Sequence, residues 1–174
     1  MTKTCSELFQ GMDCTIIGNG NEEVAGLAFR SDEVHPNDMF FCIVGTVVDG
    51  HSFAQDAIDR GATSLVAERK VYLADATDVT EVVVSDSRKA MAYASANYYD
   101  NPSRAFSLVG ITGTNGKTTT TYLVEHIASV AGNRCGVIGT VGNKIAGVME
   151  HAERTTPESP DLQKLFARMR DAGC

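Results

Sequence analysis

Residues 106–119 read FSLVGITGTNGKTT, an apolar run followed by a loop with two glycines that ends in lysine and two threonines. The apolar run 106–112 predicts a buried strand, and apolar residues at helical spacing over 123–131 predict a helix that ends at Gly132. A second strand is predicted at residues 135–140. Strand, loop, helix and strand in this order are typical of the opening of a nucleotide-binding parallel sheet.

The loop has the chemistry of a phosphate site. Glycines let backbone N–H groups approach phosphate oxygens, and the helix that follows offers further free N–H groups. Lys117 can neutralise the terminal phosphates, and the Thr118 hydroxyl can bind Mg²⁺. The usual spacing would put glycine at position 111, where this chain has Ile111, so the loop is a variant. The alternative is a tight strand–helix turn that contains a lysine by chance.

The residues before this stretch predict a separate α/β domain. Short apolar runs such as 38–44, 64–67 and 82–84 alternate with amphipathic segments. The sequence DNPSR at 100–104 interrupts the pattern with turn formers and a proline. We therefore predict two domains, residues 1–104 and 105–174. The first carries 16 acidic and 8 basic side chains and the second 6 and 7, so the second is the more favourable for an anionic ligand.

Composition excludes several classes of protein. Of 174 residues, 43% are hydrophobic and 21% are charged, which is typical of a globular chain. No apolar run approaches the length of a membrane span, and the N-terminus has no signal-like core. The net charge of −7 disfavours nucleic acid as a partner. Five cysteines without a Cys-x-x-Cys pair favour neither disulfides nor zinc, so a cytoplasmic location is expected.

The loop GTNGKTT at 113–119 resembles the ATP loop of the Mur ligases and of their relative folylpolyglutamate synthetase. Upstream, RSDEVHPNDMF at 30–40 and GTVVDGH at 45–51 resemble the N-terminal uridine-binding domain of the tripeptide-synthesising Mur ligases. Residues 155–157, TTP, fall where that family has a threonine pair that contacts the muramoyl sugar. The resemblance covers essentially the whole chain.

The resemblance implies a small uridine-binding α/β domain followed by the opening of a P-loop ATP-binding parallel-sheet domain. It implies ATP-dependent addition of a third amino acid, meso-diaminopimelate or L-lysine, to UDP-N-acetylmuramoyl-L-alanyl-D-glutamate through an acyl phosphate. That reaction belongs to the synthesis of peptidoglycan precursors. The implied cofactors are ATP and Mg²⁺, and the implied partners are the UDP-N-acetylmuramoyl-dipeptide and an amino acid.

The resemblance also assigns residues. The predicted ATP-binding residues are Gly113, Thr114, Asn115, Gly116, Lys117, Thr118 and Thr119, with Lys117 catalytic and Thr118 a ligand of Mg²⁺. The predicted substrate-binding residues are Phe29 and Ser31 for the uridine diphosphate, Thr46, Val47 and Val48 for the uracil, and Thr155 and Thr156 for the muramoyl group. The chain departs from the family twice. Arg30 and Asp32 flank Ser31 where the family often has Asp and Arg, and Asn37 stands where the family often has glycine.

Alternatives stay open at this point. The chain is expected to be an N-terminal piece of such a ligase that does not turn over ATP by itself. It could instead be a UDP-sugar binding module, or a short P-loop NTPase. Uncovered apolar surface in residues 105–174 would favour self-association. Ser31 also suits a turn or cap, Thr156 a helix cap, and His51 an exposed or capping position.

Overall fold

The computed structural model describes residues 2–74, 78–152 and 156–174. The chain divides into two compact units, residues 1–98 and residues 99–174, called unit 1 and unit 2 below. The predicted domain boundary between residues 104 and 105 stays a prediction. Among the described residues, no helix is both long and apolar enough to cross a membrane.

Unit 1 contains seven strands and three α-helices among its described residues. In chain order they are β1 (Lys3–Thr4), α1 (Cys5–Leu8), β2 (Thr15–Ile17), β3 (Glu23–Val24), β4 (Gly26–Ala28), β5 (Asp38–Phe41), α2 (Ala54–Asp59), β6 (Ser64–Ala67), β7 (Thr80–Val83) and α3 (Ser87–Tyr98). Short 3-10 helices cover Ser31–Glu33 and Gly50–Phe53.

A five-stranded sheet in the order β2-β7-β6-β5-β4 forms the centre of unit 1. Strands β4 to β7 pair in parallel, and β2 joins the edge antiparallel to β7. Strands β1 and β3 form a separate antiparallel pair. The predicted α/β architecture is thus confirmed for this unit.

The continuous apolar run in β5 arises because the sheet is covered on both faces. All four residues of β5 are buried. Met39 and Phe41 pack in one cluster with residues of α1 and α3, whereas Phe40 packs in a second cluster with residues of α2. Since successive side chains of a strand point to opposite faces, such a strand is mostly apolar. Only its first residue, the buried Asp38, is charged, and its carboxylate accepts a hydrogen bond of 2.8 Å from the His35 backbone N–H.

The described residues of unit 2 form two α-helices, a short 3-10 helix (Pro102–Arg104) and a three-stranded antiparallel sheet. The elements are α4 (Lys117–Val130), β8 (Gly136–Gly139), β9 (Gly142–Ile145), β10 (Val148–Glu150) and α5 (Ser159–Asp171). The register opposes Gly139 to Gly142 and Ile145 to Val148, so each turn contains two residues. Ala146 and Gly147 both have positive φ, which suits such a turn.

The core of unit 2 lies between α5 and the sheet. Leu165, Phe166 and Met169 of α5 cluster with Ile145 of β9. The ring of Phe106 packs edge-on against that of Phe166, with 5.7 Å between ring centroids. The sequence predicted the helix that ends at Gly132 and the strand at 135–140, and the structure confirms both.

The predicted strand over residues 106–112 is wrong for this structure. The segment forms no strand, and Leu108 and Val109 are 59% and 65% exposed. A strand depends on hydrogen bonds to a neighbour, and β8 pairs only with β9 among the described residues. The sheet of unit 2 is therefore antiparallel, not the predicted parallel sheet. Several apolar side chains of α4, including Ile127 and Val130, are likewise exposed.

Candidate functional site

The loop at residues 113–116 delivers the backbone to the beginning of α4. Gly113 and Gly116 have φ values of 152° and 76°, both strained for other residues. Gly116 occupies the N-cap position, and no side chain caps the helix there. The first N–H groups of α4 lack a partner within the helix, and the helix dipole is positive at this end. This is the backbone geometry of an anion site.

Two side chains of the first helical turn point to fixed partners. Lys117 Nζ donates a hydrogen bond of 2.6 Å to the carbonyl oxygen of Gly113, which brings the ammonium group over the loop. The Thr118 and Thr140 hydroxyl oxygens are 3.2 Å apart. Sequence reasoning missed Thr140. Its signal was a hydroxyl side chain at the end of the strand that follows α4.

The donor set of the loop fits a nucleotide phosphate with Mg²⁺. All seven residues 113–119 are exposed and thus open to a ligand. A cation is supplied by Lys117, and hydroxyl oxygens are supplied by Thr118 and Thr140. No cluster of three His, Cys, Asp or Glu side chains occurs within the described residues. Mg²⁺ often takes few protein ligands and completes its shell with phosphate oxygens and water.

A cleft of about 310 Å³ lies in unit 1, beyond the carboxyl ends of the parallel strands β4 and β5. Its walls include Phe29, Ser31 and Val48, three of the predicted substrate-binding residues. They come from two segments that are separated by the whole of β5. Ligands of open α/β sheets bind at the carboxyl ends of strands, so the position is the expected one for a binding site.

The loop between β5 and α2 explains which predicted residues reach the cleft. A bridge pairs Val44 with Asp49, and the Gly45 N–H donates to the Val48 carbonyl oxygen at 3.0 Å. Thr46 and Val47 lie at the exposed tip of this tight loop. Val47 is 93% exposed, and neither residue lines the cleft. The structure therefore brings Val48 to the cleft and leaves Thr46 and Val47 outside its wall.

Charged side chains surround Ser31 at the rim of the cleft. Arg30 pairs with Asp32 at 2.9 Å and with Glu33 at 3.3 Å. The pKa of the Asp32 carboxyl is lowered by its hydrogen bond from Arg30. The pKa of the Asp56 carboxyl is lowered, first by a hydrogen bond from the Ser31 hydroxyl and then by one from Arg60. The reversed order of charges around Ser31 thus still forms an ion pair across the serine.

Besides Arg30 and Asp32, four residues line the cleft that were not predicted as site residues: Phe40, Ile43, Gly50 and Phe53. Phe40 and Ile43 belong to an apolar run that predicts core packing, so nothing local marked them. Gly50 and Phe53 surround His51 in the 3-10 helix after the loop. A β-carbon on Gly50 would lie 2.6 Å from the Ile43 nitrogen, so only glycine fits there. That glycine, next to Asp49, was the available signal.

The predicted muramoyl-binding pair is only partly described. Thr155 lies outside the described residues. Thr156 is exposed and lies two residues before Glu158, the N-cap of α5, so the cap interpretation of Thr156 is wrong. A second cleft, of about 260 Å³, has the next residue, Pro157, in its wall, together with His151 and Lys164. Thr156 itself is not part of its wall.

The sequence matches two families of protein domain in succession. Residues 23–112 match the "Mur ligase family, catalytic domain", and residues 111–174 match the "Mur ligase middle domain". The first match alone covers more than half of the chain.

The chain belongs to the Mur ligase family.

Individual Mur ligases show the same relationship. The chain is 47% identical over 154 residues to the UDP-N-acetylmuramoyl-L-alanyl-D-glutamate–2,6-diaminopimelate ligase of Geobacillus thermodenitrificans, covering 88% of this chain and 31% of that protein. It is 42% identical over 173 residues to the ligase of the same name from Halalkalibacterium halodurans, covering 99% and 35%. The chain thus spans about a third of the length of these relatives.

Solved Mur ligase structures share the fold. A structure of a UDP-N-acetylmuramoyl-L-alanyl-D-glutamate–2,6-diaminopimelate ligase matches with a TM-score of 0.74 at 24% identity, over 99% of this chain and 34% of that one. The UDP-N-acetylmuramoylalanyl-D-glutamyl-2,6-diaminopimelate–D-alanyl-D-alanyl ligase of Acinetobacter baumannii matches with a TM-score of 0.62 at 18% identity, over 97% and 34%. At these identities the likeness concerns the fold.

Proposed function

We propose that this chain provides the UDP-binding and ATP-phosphate-binding parts of a Mur ligase that extends UDP-N-acetylmuramoyl-L-alanyl-D-glutamate by a third amino acid. The observation that carries the proposal is the succession of the two Mur ligase matches along one chain. The reaction would be ATP-dependent, would pass through an acyl phosphate and would belong to peptidoglycan precursor synthesis. The names of the relatives favour 2,6-diaminopimelate over L-lysine as the amino acid.

In this proposal, the cleft of unit 1 binds the uridine diphosphate part of the substrate. Its aromatic and aliphatic walls, Phe29, Phe53 and Val48, suit the faces of a uracil ring. Ser31 lies on the wall of the cleft, and the lone pairs of its hydroxyl oxygen can accept a hydrogen bond from the ligand. The exposed Thr46 and Val47 would contact the ligand from the tip of the same loop. Thr155 and Thr156 would hold the muramoyl group.

The loop 113–119 would hold the phosphates of ATP, as the opening of a P-loop domain over residues 105–174. Lys117 would leave the Gly113 carbonyl for the terminal phosphates, where its charge offsets the charge that develops during transfer. Thr118 would bind Mg²⁺, and Thr140 stands within reach of the same hydroxyl. Mg²⁺ held there would supply positive charge that offsets the negative charge of the phosphates.

Separate titrations of the chain with UDP and with MgADP test the two halves of the proposal. Saturable binding of both nucleotides is expected, with UDP binding sensitive to substitution at Ser31 and MgADP binding sensitive to substitution at Lys117. Binding is the sharper test for these residues, because the chain spans only a third of its relatives. An absence of saturable binding to both nucleotides at millimolar concentration would overturn it.

A second candidate function is that of a UDP-sugar binding module without catalysis. The specific observation in its favour is that the cleft lies wholly within unit 1, as residues 29–53 supply every side chain of its wall. Phosphate release from ATP that depends on both the UDP-dipeptide and diaminopimelate separates the candidates. The ligase proposal predicts this phosphate release for the protein in which these residues act. The binding-module proposal predicts UDP binding without any such release.

Two further features belong to the proposal. The exposed apolar side chains of α4 would support self-association of the chain. A cytoplasmic location is supported by the cysteines, all of which are free thiols, as reducing compartments keep them.

A further inference from the structure

His51 lies directly after the loop that forms one wall of the cleft, and its side chain is only 5% exposed. Both of its ring nitrogens have partners. Nδ1 lies 2.6 Å from Asp49 Oδ1, and Nε2 lies 3.0 Å from the backbone nitrogen of Glu68. A buried histidine bonded at both nitrogens, outside the core clusters, calls for an explanation that packing alone does not give.

The hydrogen bonds determine which nitrogen of His51 carries the proton. The backbone N–H of Glu68 can only donate, so Nε2 must accept. Nδ1 therefore carries the hydrogen and donates it to the Asp49 carboxylate. The ring is thus a neutral bridge with one donor and one acceptor, held between the cleft loop and the end of β6.

The residue after Glu68 holds the same loop from the other side. Arg69 Nη2 donates to Asp49 Oδ2 at 2.7 Å. Glu68 is itself anchored, because its carboxylate accepts hydrogen bonds of 2.9 Å from both the backbone nitrogen and the hydroxyl of Ser87 at the beginning of α3. The two residues that follow β6, Glu68 and Arg69, therefore form hydrogen bonds with His51 and Asp49. Glu68 is in turn bonded to the beginning of α3.

The loop that is held in this way shapes the cleft. Its two ends meet where Val44 pairs with Asp49, and the Gly50 N–H donates to the Ile43 carbonyl oxygen at 2.9 Å. Val48 and Gly50 stand on the wall of the cleft, beside Ile43. A displacement of Asp49 and His51 would move both wall residues, since they lie within one or two residues of that pair.

We propose that His51 is a positioning residue, which clamps the loop 44–50 to the end of β6 and so preforms the wall of the cleft. Its effect on ligand affinity rests on the proposed function of the cleft, whereas its effect on the loop does not. His51 contacts no ligand in this scheme. It acts through Val48 and Gly50, and the gain is that the loop does not have to be ordered at the moment of binding.

The test compares three substitutions of His51 in the whole chain. His51→Leu removes both hydrogen bonds at similar size. His51→Asn keeps a donor near Nδ1 but falls short of Glu68, and His51→Gln can offer both a donor and an acceptor. His35→Leu is the matched control at an exposed histidine, and Leu8→Ala is a control that lowers stability through a buried residue of α1. The readouts are UDP affinity by calorimetry, amide exchange of residues 44–50 and Glu68, and the thermal midpoint.

His51→Leu is expected to weaken UDP binding by about tenfold and to speed amide exchange across the loop, because a buried polar network is lost. His51→Asn should fall between His51→Leu and wild type, and His51→Gln should restore most of the affinity. The two controls should bind UDP as wild type does, although Leu8→Ala melts at a lower temperature. A normal UDP affinity in Leu8→Ala together with a weaker one in His51→Leu separates positioning from a general loss of stability. If His51→Leu does not fold, the comparison rests on His51→Asn and His51→Gln.

The inference is overturned if the substituted chains bind UDP like wild type or if loop exchange stays unchanged. It is also overturned if affinity falls with thermal stability alone, so that Leu8→Ala weakens UDP binding as much as His51→Leu. A wild-type chain that does not bind UDP contradicts the proposed function of the cleft. Amide exchange of residues 44–50 would then still decide whether His51 holds the loop.

Discussion

Lys117 and Gly113 are joined by a hydrogen bond of 2.6 Å that closes the loop 113–116 over the beginning of α4. The bond spans four residues, so the loop is curled before any ligand arrives, and the ammonium group already lies over it. The Gly113 carbonyl oxygen is the acceptor for the Lys117 ammonium group in this structure. A phosphate would offer it a charged acceptor, which makes a stronger hydrogen bond than a neutral carbonyl does.

Replacing Lys117 by alanine is expected to raise the Kd for MgADP by roughly 30-fold, since a hydrogen bond to a charged group contributes about 1.5–3 kcal/mol. The thermal midpoint should hardly change, because Lys117 is exposed. Titration with a fluorescent ADP analogue measures the affinity, with Lys70→Ala as the control at an exposed lysine of unit 1. Equal affinity of the wild type and the Lys117 variant would contradict the role of the loop.

The cleft allows a separate prediction at Ser31. Ser31 lies in the wall of the cleft, so Ser31→Ala removes a hydroxyl oxygen that can accept a hydrogen bond from the ligand. We expect the Kd for UDP to rise about fivefold, the effect of one neutral hydrogen bond. MgADP affinity should stay the same. Calorimetry on Ser31→Ala and on the exposed control Ser85→Ala measures both. An unchanged Kd for UDP would remove Ser31 from the binding residues.

Local pattern was enough to predict the elements that are buried on both faces. Strand β6 was predicted at residues 64–67 and found there, because three of its four buried residues, 65–67, are apolar and the fourth is a small serine. The contact between His51 and Glu68 could not be predicted from the sequence. It depends on the parallel register that sets Phe41 opposite Val66, and register is a property of two strands that neither displays alone.

The wrong prediction over residues 106–112 has a related cause. The apolar run reports a tendency to be buried, but a strand also requires a neighbour with free hydrogen-bonding groups. No described strand pairs with that segment. The site shows what local pattern does not give at Val47 and Val48. The resemblance assigns both to the uracil, and that assignment stays a prediction; the tight turn of their loop places Val48 on the wall of the cleft and Val47 at the exposed tip.

The five cysteines should differ sharply in reactivity. Burial raises the pKa of the Cys5 and Cys42 thiols to about 12. Burial also raises the pKa of Cys14, which is less deeply placed. Since the thiolate is the reactive form, Cys135 and Cys174 should react first with a disulfide reagent at neutral pH, Cys14 more slowly, and Cys5 and Cys42 only on unfolding. Mass spectrometry of the labelled peptides would reveal the order. Rapid labelling of native Cys42 is the contrary result.

Asp49 should make the chain sensitive to acid. The Arg69 guanidinium, and then the backbone and side chain of His51, hold the pKa of its carboxyl well below the ordinary value of 3.8. A carboxyl with a depressed pKa stabilises the fold above the unfolded-state pKa, and this stabilisation is lost as the pH falls toward the folded-state pKa. At neutral pH, wild type should therefore be more stable than Asp49→Asn, by about 1 kcal/mol because the pair with Arg69 is exposed.

Urea unfolding of the two proteins across the acid range measures this difference. The gap should be constant down to about pH 4 and should narrow below it, because only wild type then takes up the additional proton. The other carboxyls with lowered pKa are present in both proteins, so their effects cancel. A gap that persists at the lowest pH would show that Asp49 stabilises the loop by shape and not by charge.

The ion pair between Glu125 and Lys144 joins α4 to β9, and it predicts a measurable coupling. The two side chains are 12% and 23% exposed and 3.0 Å apart, so water screens them less than a surface pair. The hydrogen bond from Lys144, followed by that from Ser129, lowers the pKa of the Glu125 carboxyl. Removing one partner leaves the other half-buried without its counter-charge, which is costlier than removing both.

Glu125→Gln, Lys144→Met and the double variant form a double-mutant cycle. Its coupling energy should be about 1–2 kcal/mol, between the values for exposed pairs and for buried charged hydrogen bonds. Amide exchange of α4 and β9 measures this coupling energy within unit 2. The control is the same cycle on Asp56 of α2 and Arg60, the residue after α2, which form an exposed ion pair. Their coupling energy should be less than about 0.5 kcal/mol. Coupling at Glu125 as small as at Asp56 would mean that this ion pair does little to hold α4 to the sheet.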